Sequence, residues 1–412
     1  MKKIMNAIFL LIVFVILPLN TKAAEDPKNG SSYLFPFSNP YSATFLSIIV
    51  HPTHLVFKDE QIILFPKRSD LELVGSRNRL KFTIATAKDP KAPLLFIFPG
   101  LGGSAYSGEA LFLAEIAHDL GYSVVTLPSS THWSFSLAAS SNGRIGYLPA
   151  DAEDMHKLLL AIRKKIKSKY QIHPSNYATI GYSYGALDSS FAAASDLEHK
   201  DFNFKKVIMI NPPMDRDITT KKLDDIYTKG LNWSEHYREK LYTYIFGKMV
   251  LDMTAKKAMK IFQGRDMSWL KLSSTQLFWL ISKDFRNILK NDIFISQQIE
   301  DLGIQDEAEA FNFANYLIQL VFPKVKLETG KTVDEIKEDC LVKTAANKVA
   351  KAMGADGRLY LFHNADDFLS FPEGRDQLIN FPGQVKIYPT GGHVGNIWFP
   401  ENVQDIKEAL LF

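Results

Sequence analysis

From Leu55 onward the chain alternates between short apolar runs and longer amphipathic stretches. The runs are rich in β-branched and aromatic residues: Leu55 to Phe57 and Gln61 to Phe65, then Lys81 to Ala87, Pro93 to Phe98 and Tyr122 to Pro128. Runs this short, bounded by Pro, Gly and polar turn-formers, predict strands. Between the last two, Leu111, Leu113, Ile116 and Leu120 recur at roughly helical spacing and Gly121 stops the pattern, which predicts a helix. Another helix is predicted after Pro149, where Met155, Leu158, Ile162 and Ile166 share one face. Next come a strand from Tyr177 to Ser183, a helix of small residues from Ala186 to Leu197, and a strand from Lys206 into Pro212-Pro213. Strands that are apolar almost throughout and are separated by helices predict a mostly parallel sheet covered on both faces. The opening strands follow one another without helices, which predicts an antiparallel edge.

Between Asp215 and about Arg358 the alternation lapses and helical periodicity takes over. Leu277, Leu280, Ile281, Phe285 and Ile288 form one stripe, and Phe313, Tyr316, Leu317 and Leu320 another. The strand–helix order resumes with Arg358 to His363, a short helix, Gln384 to Thr390, and a last helix near Val403 to Leu411. An insertion between two strands of one sheet lies over the end of that sheet. Residues 55–215 and 358–412 therefore read as two parts of one α/β core, and 216–357 as a helical cap or lid. Residues 24–54, with Pro, Ser, Asn and Gly crowded between Glu25 and Pro40, predict an irregular lead-in.

Residues 1–23 hold Lys2 and Lys3, an apolar run from Ala7 to Leu19, and a small residue at Ala23 followed by Ala24. That is the layout of a secretory signal peptide, and the run is short for a membrane span of about 20 residues. A periplasmic or secreted location follows as an expectation. Removing the segment takes away Lys2, Lys3 and Lys22 and no acid, so the formal charge of +3 falls to 0. A balanced charge argues against a surface built for nucleic acid. The basic run Arg163 to Lys169 ends an amphipathic stretch, where cations suit a helix C-terminus. Cys340 is the only cysteine, which excludes an intrachain disulfide and reads as a small buried apolar residue.

The candidate chemistry lies where the predicted strands end. Gly181-Tyr182-Ser183-Tyr184-Gly185 directly follows one strand and opens the small-residue helix. A nucleophilic serine uses such a sharp turn, and glycines on either side avoid clashes with the neighbouring strand and helix. A serine hydroxyl is weakly nucleophilic, so it needs a base, and the base needs an orienting acid. His393, within Gly391 to Asn396, follows a strand and has glycines on both sides, which let the backbone bring an imidazole to the turn. His132 also follows a strand but precedes Ser183 in the chain, and is assigned a pocket role only. The acid is sought between Ser183 and His393, and Asp366 and Asp367 stand together after a strand. The three-residue spacing from Asn364 favours Asp367; Asp366 is the runner-up and Asp215 a more distant alternative. Phe98 to Ser104 is a glycine-rich turn after a strand, suited to aiming backbone N–H groups at a developing oxyanion. The donors are assigned to Leu101 and to Tyr184, the residue after the serine. No Lys-Ser/Thr pair follows Gly103, and neither HExxH nor paired cysteines occur, so no metal or organic cofactor is expected.

From about Leu94 to Leu411 the chain resembles the α/β-hydrolase superfamily, through the oxyanion turn FPGLGGS, the elbow GYSYG, the acid turn HNADDFL and the histidine loop GGHVGN, in that order. The pieces NPYSATF, LPSSTHWSFSLAASS, INPP, HNADDFL and GGHVGNIW are similar to a group of exported bacterial α/β-hydrolases. The resemblance implies the fold, a triad of Ser183, His393 and Asp367, and an envelope location, and leaves the substrate open. Two departures are Pro99, where the superfamily often has His-Gly, and Asn364 in place of Gly. The expectation is an exported serine hydrolase that cleaves a carboxylic ester through an acyl-enzyme. Trp269, Phe278, Trp279, Phe285 and the stretch Phe311 to Phe322 are expected to cover the site and to form an apolar acyl pocket. The expected partner is a small-molecule or lipid ester, with peripheral membrane contact suiting the lipid, and not nucleic acid. Two other readings use the same residues. One is peptide cleavage or acyl transfer to an alcohol; the other is a catalytically silent envelope protein that binds lipid or a partner. The complete set of serine, histidine and acid weighs against the second.

Overall fold

The computed structural model describes residues 33–47, 54–68, 78–247, 272–300, 311–353, 358–370 and 372–412. The expected signal segment 1–23 and Trp269 lie outside the described residues, as do 24–32 and 48–53 of the expected lead-in. The strands are β1 Lys58–Ile62, β2 Leu80–Ala85, β3 Leu94–Phe98, β4 Ser123–Thr126, β5 Tyr177–Tyr182, β6 Lys206–Ile210, β7 Leu359–Asn364 and β8 Gln384–Tyr388. They form one sheet in the order β1-β2-β4-β3-β5-β6-β7-β8. From β4 to β8 all neighbours are parallel, and β2 runs antiparallel to both β1 and β4.

The inner strands β3 to β7 are buried because helices cover both faces, whereas the edge strand β8 exposes all but Tyr388. Along β3, Leu94, Phe96 and Phe98 join the larger apolar cluster with Leu158 and Ile162 of α4 (Leu148–Tyr170) and Leu187 of α5 (Tyr184–His199). The alternate residues Leu95 and Ile97 join the opposite cluster with Leu113 and Ala117 of α2 (Gly108–Asp119) and Ile406 of the last helix, Pro400–Leu410. Successive side chains of a strand point to opposite faces, so a strand covered twice is apolar over most of its length.

The edge is antiparallel as expected, but its first strand lies elsewhere than the apolar runs indicated. β1 occupies Lys58–Ile62, mostly between the two apolar runs, because an edge strand needs only one covered face. Glu60 and Ile62 point inward; Glu60 accepts from Lys169 Nζ at 2.5 Å and from the Tyr170 hydroxyl, both near the basic end of α4. Leu55 and Phe57 pack against the core outside the strand.

Helices fill the interval between β6 and β7: α6 Arg216–Gly230, α7 Glu235–Phe246 and α8 Ser274–Glu300 come first among the described residues. A helical run from Phe313 to Thr329, with a π turn at Leu317–Val321, and the helices Val333–Asp339 and Val342–Met353 follow. The last of these stands apart from the rest of 216–357. Val342, Ala345, Ala346 and Val349 are buried, and the helix packs along α5 and against β7, so it covers the sheet as part of the core. The lead-in also departs from the expected irregularity. It carries α1, Pro40–Leu46, with Pro40 in its first turn and Asn39 as its cap, the side chain accepting from Tyr41 and Ser42 N–H.

Candidate active site

β5 ends at Tyr182 and α5 begins at Tyr184, so the chain passes from strand to helix through Ser183 alone. Ser183 has φ 54° and ψ −128°, a conformation that costs a non-glycine residue about 1–3 kcal/mol. Its surroundings enforce it. Ser183 N–H donates to the Ile210 carbonyl at the end of β6, at 2.9 Å. A Cβ on Gly181 would overlap the Gly185 carbonyl, and one on Gly185 would overlap the carbonyls of Phe98 and Pro99. The strained serine thus stands at the C-terminal end of β5, within a sheet ordered β1-β2-β4-β3-β5-β6-β7-β8. This is the α/β-hydrolase fold.

In this hydrolase fold the loop after β8 brings the imidazole to the serine. His393 Nε2 lies 2.7 Å from Ser183 Oγ, and Nδ1 lies 2.9 Å from Asp367 Oδ2. With Nδ1–H donated to the carboxylate, Nε2 is left to accept from the serine hydroxyl. Asp367 follows β7, is fully buried, and also accepts from Asn211 Nδ2 at 2.9 Å and Leu369 N–H at 3.0 Å. Burial pushes its carboxyl up, but the adjoining His393, the nearby His363 and the Asn211 amide together hold it below the usual carboxylate range.

Asp366, the runner-up, has a different place. Its Oδ1 accepts Gly392 N–H at 2.8 Å and its Oδ2 has no partner among the described residues. Burial pushes this carboxyl up despite the backbone N–H groups of Gly392 and Gly391. Asp366 therefore holds the histidine loop and Asp367 holds the ring. Asp215 is the cap of α6, accepting from Asp217 and Ile218 N–H at 2.9 and 3.1 Å. Asn364 has a structural reason to differ from Gly: its Nδ2 donates to the Gly392 carbonyl at 2.8 Å and to Asn396 Oδ1 at 2.9 Å, tying the acid turn to the histidine loop.

The turn after β3 runs beside the serine. A Cβ on Gly100 would lie 3.2 Å from Ser183 Cβ and 3.6 Å from its Oγ. Gly103 N–H closes the turn on the Gly100 carbonyl at 2.9 Å, and Gly102 N–H donates to Thr131 Oγ1 at 2.8 Å. Leu101 N–H makes no hydrogen bond among the described residues. Tyr184, as the first residue of α5, carries one of the N–H groups that have no intrahelical acceptor. These donors belong to the residues bonded to the close pair Gly100 and Ser183.

α8 lies over this turn: a Cβ on Gly102 would meet the Ile288 side chain at 2.6–2.8 Å. Leu101, Thr131, Phe285, Ile288, Phe313 and Tyr316 are among the residues lining a small apolar cavity with room for about one water molecule. Of the aromatic residues expected to form an acyl pocket, Phe285, Phe313 and Tyr316 face this cavity. Phe278 packs instead on Tyr41 and Phe368, and Trp279 is buried with Leu241, Leu277 and Leu280. His132 is not among the lining residues. It caps the short helix α3 (Trp133–Ala138), accepting Ser134 N–H at 3.1 Å, and desolvation pushes its pKa down to about 4. Its neighbour Thr131 lines the cavity in its place.

Two contributors escaped sequence reasoning. Thr44 Oγ1 accepts His393 N–H at 2.7 Å, from a helix whose start was marked by Asn39-Pro40. Asn211, at φ 47°, supports Asp367 from the end of β6, and nothing in the local sequence marks it for that role.

No family model and no curated relative matches the chain. Among solved structures it is similar to an esterase from Pyrococcus furiosus, at 13% identity over 95% of this chain and 98% of that one, with a TM-score of 0.43. It is also similar to a highly thermostable carboxyl esterase from Bacillus coagulans, at 15% identity over 86% and 97% of the two chains, with a TM-score of 0.42. An acylaminoacyl peptidase from Pyrococcus horikoshii shares 14% identity over 87% of this chain and 41% of its own, with a TM-score of 0.41. The hydrolase fold rests on the strand order and the serine turn of this chain.

Proposed function

We propose that the protein is an exported serine hydrolase that cleaves a carboxylic ester through an acyl-enzyme. The observation that carries this reading is the hydrogen-bonded series Asp367, His393, Ser183, ending on a serine held at positive φ between strand and helix. In the proposed reaction His393 Nε2 takes the Ser183 proton as Oγ bonds to the acyl carbon. The carbonyl oxygen becomes an oxyanion next to the N–H groups of Leu101 and Tyr184; losing one such donor typically costs about 100- to 1,000-fold in turnover. The ester C–O bond then breaks and His393 returns the proton to the departing alcohol. Water repeats the sequence, with its proton passing to His393 and then to Ser183 as the acid leaves. Asp367 keeps Nδ1–H directed inward and balances the imidazolium throughout.

The cavity beside Leu101 supports a hydrocarbon acyl group, a lipid ester among them, because none of its lining side chains is charged. A space for one water admits no acyl chain, so binding requires Ile288 and the neighbouring part of α8 to move aside. Export is inferred from residues 1–23, and a lipid substrate would be met at a membrane surface.

Labelling of the mature protein with a fluorophosphonate probe tests the reading. The native chain is expected to label, and Ser183→Ala and His393→Ala are expected not to. A native protein that does not label, or Ser183→Ala labelling as well as native, removes the claim. A series of p-nitrophenyl esters then tests the acyl preference, and a preference for acetyl over longer chains would count against an extended pocket.

A further inference from the structure

The N-terminal segment reaches the histidine loop from a side that the triad leaves open. Thr44 Oγ1 accepts the backbone N–H of His393 at 2.7 Å and donates its own proton to the Pro40 carbonyl at 2.8 Å. The hydroxyl is thus committed as both donor and acceptor. The loop is shaped to receive α1: a Cβ on Gly392, at φ 60°, would overlap the Pro40 carbonyl and lie 2.6 Å from Thr44 Oγ1, and one on Gly395 would lie 2.5 Å from the Ala43 carbonyl.

The same helix is tied to the acid turn and to α8. Its cap, Asn39, donates from Nδ2 to Oγ of Ser274, the first residue of α8, at 2.9 Å. Tyr41 lies against Phe278 of α8 and against Phe368, the residue after Asp367, with ring centroids 5.3 and 4.4 Å apart.

We infer that Thr44 is a positioning residue for His393, and that α1 couples the placement of the imidazole to the seating of α8. The inference rests on the serine-hydrolase reading. Gly391, Gly392 and Val394 all have positive φ, so the loop takes its shape from what it is bonded to, and the direction of the His393 side chain follows its backbone. Asp366 and Asn364 hold Gly392, whereas Thr44 alone among these groups holds the N–H of His393 itself. A misplacement of about 1 Å costs on the order of 100-fold in rate, and it does so without touching the groups that bind the acyl chain. Movement of α8 as substrate enters is transmitted to the same loop through Asn39 and Tyr41.

The experiment compares Thr44→Val, which keeps the shape and removes the acceptor, with Thr44→Ser, which keeps the acceptor. Turnover of p-nitrophenyl butyrate and the rate of fluorophosphonate labelling are measured on the mature protein. Thr44→Val is expected to lower kcat about 10- to 100-fold, with KM within about twofold, and to slow labelling in proportion. Thr44→Ser is expected to restore both to within about threefold of native. Ser274→Ala, which removes the acceptor for Asn39 Nδ2 and leaves the cap of α1 in place, is expected to lower kcat in the same sense by about 3- to 10-fold, and an unchanged kcat overturns the coupling to α8. If Thr44→Val does not fold, Thr44→Ala is judged by the same criteria. Native kcat and labelling rate in Thr44→Val overturn the inference and leave the hydrolase reading standing. A loss that Thr44→Ser does not restore, or a rise in KM in place of the fall in kcat, also overturns it. A native protein that fails to label overturns both.

Discussion

Replacing each of the adjacent carboxyls by its amide separates their roles. Asp367 accepts three hydrogen bonds: from His393 Nδ1 and Asn211 Nδ2 at Oδ2, and from Leu369 N–H at Oδ1. A carboxamide has one oxygen to offer. If that oxygen faces His393, the new NH2 opposes Leu369 N–H; if the NH2 faces His393, it favours the tautomer that aims Nε2–H at Ser183. Each buried donor left opposed costs about 1–3 kcal/mol, and the second arrangement also removes the base. Asp367→Asn is expected to lower kcat about 1,000- to 10,000-fold, equivalent to about 4–5.5 kcal/mol in the barrier. Asp366 accepts from Gly392 N–H at Oδ1, and its Oδ2 has no partner among the described residues. An amide there keeps the oxygen for Gly392, places NH2 where no donor opposes it, and is neutral at a site where burial already disfavours charge. Asp366→Asn is therefore expected to keep kcat within about threefold of native. Steady-state hydrolysis of p-nitrophenyl butyrate, with thermal unfolding as the check on folding, measures both. Equal losses in the two variants, or the larger loss in Asp366→Asn, would refute the assignment of the acid.

Two further outcomes follow from named contacts. Ile288→Ala uncovers Gly102 and widens the apolar cavity, so kcat/KM for an octanoyl ester relative to an acetyl ester is expected to rise about tenfold, and an unchanged ratio would remove Ile288 from the control of chain length. Burial pushes the Glu60 carboxyl up, but Lys169, Tyr170 and Lys165 outweigh it and draw it from its usual 4.5 down to about 2. A depressed carboxylate pKa adds stability above the unfolded value and loses it as pH falls through the folded one. Glu60→Gln is accordingly expected to be less stable than native at pH 7, with the gap closing between about pH 4.5 and pH 2 in denaturant titrations. A gap that does not change with pH would count against the ion-pair account.

Much of the core was legible because its signals are contiguous. The elbow residues Gly181 to Gly185 and the turn Phe98 to Ser104 each follow a strand whose apolar run can be read directly, and the loop Gly391 to Asn396 follows the alternating strand Gln384–Tyr388. β1 was misplaced because an edge strand needs little apolar sequence, and its inward Glu60 is satisfied by Lys169 and Tyr170 rather than by hydrocarbon. The helix Val342–Met353 was read with the insertion because its periodicity is the same whether it packs on α5 or on another part of the chain. α1 was read as irregular although Asn39-Pro40 is a helix start, since a seven-residue helix offers hardly two turns of pattern.

The amino-acid sequence by itself determined the alternation of strands and helices, the serine turn with its two glycines, and the candidate roles of Ser183 and His393. Those features depend on neighbours along the chain, where side-chain periodicity and backbone sterics act over a few residues. Only the tertiary structure decided which donors meet which acceptors across long separations. Thr44 and His393 are 349 residues apart, and Asn211 and Asp367 are 156 apart. It also gave different partners to Asp366 and Asp367, adjacent carboxyls with the same chemistry. One reaches the backbone of the histidine loop and the other the imidazole, a difference set by the packed turn and not by residue type.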